Sequence, residues 1–177
     1  MSETIHFYKW AVTSQVFFKS KYTFALVNLR PLVPGHVMVV PLRTSVQRFT
    51  DLSPEESADY MNTLQLIPKL ITKVYKADSL NIAIQDGPEA GQSVPHLHTH
   101  IIPRYKTDGY GDGIYSKLER NDTAASYEEF EKRKAAFRKS LDSKSELSVP
   151  DEDRQDRTAE VMSREADWLR SELEALA

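Results

Sequence analysis

One hundred and seventy-seven residues with 26 acidic and 23 basic side chains make a chain of net charge −3, long enough to bury one sizeable core. The absence of cysteine excludes disulfides, thiolate metal sites, iron–sulfur clusters and thiol nucleophiles. The slight acidity argues against a general nucleic-acid binder, and no apolar run approaches the ~18 residues of a membrane span. Met1-Ser2-Glu3-Thr4 lacks the basic-then-apolar build of a signal peptide, so the expectation is a cytoplasmic protein, nuclear access left open, without nucleic-acid or membrane partners.

Residues 22–29 (YTFALVNL) are aromatic, β-branched and aliphatic, which predicts a strand covered on both faces, with Asn28 as its strongly polar member. Pro31, Pro34 and Gly35 make a turn. His36 then opens a second apolar run ending at Pro41, placed to pair antiparallel with the first. Ser53-Pro54-Glu55-Glu56 is a helix start, with Ser53 as cap, Pro54 in the first turn and Glu56 closing a capping box. Tyr60, Leu64, Ile67, Ile71 and Val74 follow at helical spacing, and Pro68 within that pattern predicts a kink.

Leu80, Ile82 and Ile84 alternate with Asn81, Ala83 and Gln85, a strand with one polar face. Residues 86–91 (DGPEAG) form a turn-rich loop, residues 94–103 a further strand, and residues 107–113 (TDGYGDG) a mobile loop. Residues 126–141 are helical in spacing, with Tyr127, Phe130, Phe137 and Leu141 on one side. Residues 142–157 are charged and poor in large apolar groups, which suits a disordered linker. In the last segment Ala159, Met162, Ala166, Leu169, Leu173 and Leu176 step by three and four, as the seam of a coiled coil does. Docking onto the body and pairing between chains both satisfy that pattern.

Three of the five histidines fall in His96-Leu97-His98-Thr99-His100. On a strand, alternate side chains share one face, so all three imidazoles would project together. The outer two would then stand roughly 13 Å apart at about 3.3 Å per residue, too far to meet at one zinc ion. Chelation by two neighbours stays open but needs another ligand, and the nearest carboxylates, Asp86 and Glu89, lie in the loop. The other reading is nucleophilic catalysis: a largely neutral imidazole attacks phosphorus or an acyl carbon while its neighbours orient it and move protons.

His96-Leu-His98-Thr-His100-Ile-Ile resembles the histidine triad signature, His-φ-His-φ-His-φ-φ with φ hydrophobic. Residues 85–94 (QDGPEAGQSV) and 28–37 (NLRPLVPGHV) resemble the fragile histidine triad branch, whose members are diadenosine polyphosphate hydrolases. The resemblance spans roughly residues 5–120. It departs at Thr99, where the signature prefers an apolar residue, and at Lys9, which receives no substrate contact. Arg104 is read as solvated and left out of the site, and Tyr115 matches a tyrosine of the branch.

The resemblance implies an α+β, HIT-like fold: an antiparallel sheet of about five strands with a long helix packed on it, to which the spacing of the last segment adds a C-terminal helical extension. Residues 1–141 would be the catalytic domain, 142–157 the linker and 158–177 an amphipathic helix. It implies that His98 attacks the α-phosphorus of a dinucleoside polyphosphate and forms a nucleotidyl-histidine. Water then releases AMP, beside ADP or ATP. Gln92 and His100 would stand against the phosphates, with His96 and His36 supporting them. Asn28 would meet the nucleoside and Gln85 the substrate. The amides of Gly91, Gln92, Ser93 and Val94 would aim dipoles at phosphate oxygens. Mg²⁺ or Mn²⁺ would arrive with the polyphosphate, and the protein would be a homodimer. A Hint-like phosphoramidate or adenylylsulfate hydrolase, and a nucleotide-occupied signalling module, are the competing readings.

Overall fold

The computed structural model describes residues 3–121 and 156–176. A short hairpin of β1 (His6–Phe7) and β2 (Trp10–Ala11) precedes a five-stranded antiparallel sheet. Its strands β3 (Val16–Lys19), β4 (Thr23–Val27), β5 (Val37–Pro41), β6 (Ser79–Ile84) and β7 (Thr99–Arg104) lie in the order β3-β4-β5-β7-β6. Every residue of β4 and β5 is buried, as their unbroken apolar runs require. The class is α+β with five antiparallel strands, as the sequence led us to expect.

Helix α1 (Pro54–Tyr75) begins where its sequence says. The Ser53 hydroxyl accepts from the Glu56 amide (3.2 Å), and Glu56 Oε2 accepts from the Ser53 amide (2.8 Å). The Arg43 guanidinium closes on both oxygens of the same carboxylate (2.8 and 2.7 Å), which holds Glu56 well below the usual carboxylate range, at about 2. The helix runs through Pro68 without being divided there. Tyr60, Thr63, Ile67, Leu70 and Ile71 are buried on both sides of the proline, and that packing outweighs the hydrogen bond lost at Leu64. Lys76, in the left-handed region at φ 53°, ends the helix.

The strand expected over residues 94–103 forms only from Thr99 onward. Pro95 has no N–H to give to a ladder. The His96 amide turns back to the Val94 carbonyl (2.8 Å), and the Leu97 amide donates to Val46 (2.8 Å). Within β7, Thr99 faces α1: its hydroxyl bonds the Tyr60 phenol (2.7 Å), which itself donates to the Val39 carbonyl (2.8 Å). His100 therefore points to the opposite face, where its strand neighbour is Met38.

Two further helices finish the described fold. α2 (Gly113–Asn121) buries Ile114 and Leu118 against Leu32 and Ile102. α3 (Ala159–Glu174) is capped by Thr158 and packs along β3, β4 and the neighbouring α1. Met162, Ala166 and Leu169 are wholly buried, so the heptad-like seam is spent on the body of the same chain. The helix expected over residues 126–141 and residues 142–155 of the expected linker lie outside the described residues. The linker's last two residues are not loose: Asp156 and Arg157 are bonded to the turn between β4 and β5.

Candidate active site

Four histidines converge in the core: His36, His96, His98 and His100 are each at most 2% exposed. They do not do so as one row on a strand. His100 belongs to β7 and His36 immediately precedes β5, while His96 and His98 sit in the irregular segment leading into β7.

His96 is locked by backbone at both nitrogens. The Tyr8 amide donates to its Nδ1 (2.9 Å), so neutral His96 carries its proton on Nε2 and donates it to the Pro41 carbonyl (2.9 Å). Burial pushes its pKa down to about 4, which leaves it neutral around pH 7. It has no nitrogen to spare for substrate or metal.

His98 is oriented by its neighbour's backbone. Its Nδ1 lies 2.8 Å from the His96 carbonyl, which can only accept, so Nδ1 bears the proton and the lone pair belongs to Nε2. The ring stands edge-on to Phe7 (centroids 5.3 Å, 80°) and to His100 (5.0 Å, 80°).

His100 receives the opposite tautomer through His36. The Leu32 amide donates to His36 Nδ1 (3.0 Å), which places the His36 proton on Nε2, 3.0 Å from His100 Nδ1. His100 Nδ1 thus accepts, and its own proton sits on Nε2. Adjacent rings present a lone pair from one Nε2 and a proton from the other, the pairing a nucleophile and its proton donor require.

The supporting residues divide. Asn28 is brought to the cluster: its Nδ2 is 3.2 Å from His36 Nε2, and its Oδ1 accepts from the Arg30 amide (3.0 Å). Val94 is buried in the core. Among the described residues, Gln85 Oε1 and Ser93 Oγ are buried without a hydrogen-bond partner, which such atoms ordinarily have. Gln92 is not brought onto the histidines; its amide group donates to the Gln47 carbonyl (2.8 Å). The Gly91 and Gln92 backbone amides are spent inside the loop, on Pro88 and Gly87 (both 3.0 Å), which narrows the expected set of phosphate-facing dipoles to Ser93 and Val94.

That loop is latched from outside. Arg48 donates to the Asp86 carbonyl (2.7 Å), and Asp86 Oδ1 accepts from the Phe49 amide (2.8 Å). Gly87 sits at φ 120°, a conformation that side-chain-bearing residues rarely adopt, and a Cβ there would also displace the Arg48 guanidinium from its place over the loop. Arg104 is engaged with Asp108, Asn81 and the Gly111 carbonyl, away from the cluster, and Tyr115 accepts from Asn81 (2.8 Å). No group of three or more His, Asp or Glu side chains among the described residues is arranged to hold a metal ion.

Sequence reasoning missed the hairpin's part. Phe7 lies against the rings of both His96 and His98, and Tyr8, a non-glycine residue at φ 54°, turns its amide to His96. A backbone donor leaves no mark in side-chain identity, although the aromatic pair Phe7-Tyr8 ahead of a turn was a signal available to use. Lys9 has its ammonium over the Tyr8 and Trp10 rings.

The model of the HIT domain family matches residues 10–107. A bis(5'-adenosyl)-triphosphatase of Saccharomyces cerevisiae is 66% identical over 122 residues, covering 69% of this chain and 59% of its own length. The chain thus spans less than two thirds of that relative. The asymmetrical bis(5'-nucleosyl)-tetraphosphatase of Schizosaccharomyces pombe is 43% identical over 173 residues, 96% of this chain and 94% of that one. Among solved structures, the Plasmodium falciparum diadenosine triphosphate hydrolase in complex with cyclomarin A superposes with a TM-score of 0.68 at 25% identity, covering 99% of this chain and 87% of that one. The C. elegans NitFhit protein gives 0.66 at 26% identity, over 97% of this chain and 31% of that one.

Proposed function

The chain belongs to the HIT domain family, and from that premise we propose that it hydrolyses dinucleoside polyphosphates to AMP plus ADP or ATP. The observation that carries the proposal is the 2.8 Å contact between His98 Nδ1 and the His96 carbonyl, because it commits the His98 lone pair to Nε2. That nitrogen attacks the α-phosphorus, the phosphorus–oxygen bond to the polyphosphate breaks, and the leaving ADP or ATP departs with the electron pair. The positive charge that develops on the imidazole is held by the His96 carbonyl dipole. Water then cleaves the phosphorus–nitrogen bond, returning His98 and releasing AMP.

His100, kept as an Nε2–H donor by His36, serves the phosphoryl oxygens. Asn28 meets the nucleoside, and the unsatisfied Gln85 and Ser93 oxygens find their partners on the substrate. Mg²⁺ or Mn²⁺ travels with the polyphosphate and offsets its charge. His96 and His36 hold their nitrogens against backbone or ring partners, which supports a cation carried by substrate over a protein cage. The working unit is a homodimer. Among the described residues β6 is the last strand of the sheet, and it presents Ile82, which is 51% exposed.

Product analysis tests the activity. Diadenosine triphosphate and tetraphosphate with Mg²⁺ should yield AMP plus ADP or ATP from the wild type, and His98→Asn should yield neither while still binding AMP. Faster turnover of an adenosine phosphoramidate than of either dinucleotide would replace this assignment with the Hint-like one. Binding without cleavage would make the cluster a nucleotide platform.

A further inference from the structure

The segment entering α3 is fastened to the turn that carries Asn28. The Arg157 amide donates to the Leu29 carbonyl (3.1 Å), and its Nε and Nη2 both close on the Asn28 carbonyl (3.0 and 2.6 Å). One residue earlier, Asp156 pairs with the side chain of Arg30. Two consecutive residues of the C-terminal segment therefore bind three consecutive residues of the turn.

The same arginine is held from behind. Its Nη1 pairs with Glu165 on α3, whose other oxygen accepts from the Tyr75 phenol (2.8 Å). The Tyr75 ring stands edge-on to Trp168 (5.6 Å, 82°) and fills the space over Gly35, where a Cβ would lie 2.7 Å from it. Both ends of the turn, residues 28–30 and Gly35, thus rest on contacts that run back to α3. A guanidinium fork that is 19% exposed and converges on one peptide oxygen fixes that peptide in place.

We propose that Arg157 is a positioning residue for nucleoside binding: by gripping the Asn28 carbonyl it holds residues 28–30 in the geometry that receives the substrate's nucleoside. This rests on the hydrolase reading, in which Asn28 meets the nucleoside. The C-terminal segment, distant in sequence from the histidines, so completes a site assembled in the first hundred residues. His36 touches Asn28 (3.2 Å) but is held chiefly by the Leu32 amide and by His100, two residues the strap does not bond, so loss of the strap acts mainly on binding and little on the chemical step.

The test is full-chain kinetics with diadenosine triphosphate, beside calorimetric AMP binding, for the wild type, Arg157→Ala, Arg157→Lys and Arg164→Ala. Arg164 is exposed on α3 and pairs only along the helix with Glu160 in the contacts described, so it controls for loss of charge. Arg157→Ala should raise KM and weaken AMP binding by about tenfold with kcat within about twofold, because a turn no longer preorganised must be ordered on binding. Arg157→Lys should fall between, and Arg164→Ala should match the wild type. A merely structural arginine would lower Tm or the active fraction with KM and AMP affinity unchanged, and that result overturns the proposal. Should Arg157→Ala fail to fold, Arg30→Ala, which opens the other half of the strap, must show the same KM-selective loss. A wild type that cleaves no dinucleotide would sink the hydrolase reading, while the AMP-binding arm would still decide the strap.

Discussion

At the scale of single residues, the chemistry turns on which ring nitrogen holds the proton. His96 spends both nitrogens on backbone and contributes its carbonyl, His98 is left with a lone pair on Nε2, and His100 with a proton there. Neutral His96 has a measurable consequence. Between pH 6.5 and about 4 the unfolded chain takes up a proton on His96 that the folded protein refuses, so stability falls as pH falls through that window, by on the order of 3 kcal/mol in all. The Glu56 contribution, from a carboxyl held down by Arg43, is lost only below its ordinary value near 4.5, so the two windows separate. Urea unfolding at pH 7 and pH 5 should show a clear loss for the wild type and a smaller one for His96→Asn; parallel losses would remove His96 from the account. Thr99, the departure from the signature, is explained on the far face, where it completes the hydrogen bonding of a buried phenol.

At the scale of elements, much was legible. The start of α1 could be read because a capping box is written in consecutive residues, and both reciprocal bonds form. Ser53→Ala should therefore cost about 1 kcal/mol, read as a shift in the urea midpoint without change in slope. The apolar runs of β4 and β5 were equally plain, since burial on both faces tolerates few polar residues. The misread element was the histidine segment. Alternation suggested a strand from residue 94, but Pro95 already carried the contrary signal, since it cannot donate to a ladder. As a result His96 and His98 are not placed by strand alternation, and the His96 imidazole is held by backbone at both nitrogens while its carbonyl orients His98. The α3 seam could be found by spacing, whereas the surface it covers could not, because periodicity records that a face is buried and not by what. The grip of Arg157 on Asn28 was illegible for a like reason: it ends on a backbone carbonyl, which any residue offers.

Across the whole molecule, the site is gathered from segments far apart in sequence: hairpin, β4–β5 turn, latched loop, β7 and the approach to α3. The sheet supplies the frame. Its histidine-bearing face lies opposite α1, and among the described residues the sheet ends at β6. If that edge joins two copies, Ile82→Lys should convert a dimeric mass in light scattering to a monomeric one, and a monomeric wild type would refute the dimer outright. Attack by His98 Nε2 leaves a stereochemical signature at phosphorus. Hydrolysis of a dinucleotide carrying a chiral α-phosphorothioate in ¹⁸O-water should proceed with net retention at phosphorus, because two in-line displacements, first by histidine and then by water, each invert. Net inversion would mean that water attacks the phosphorus directly and that His98 is not the nucleophile.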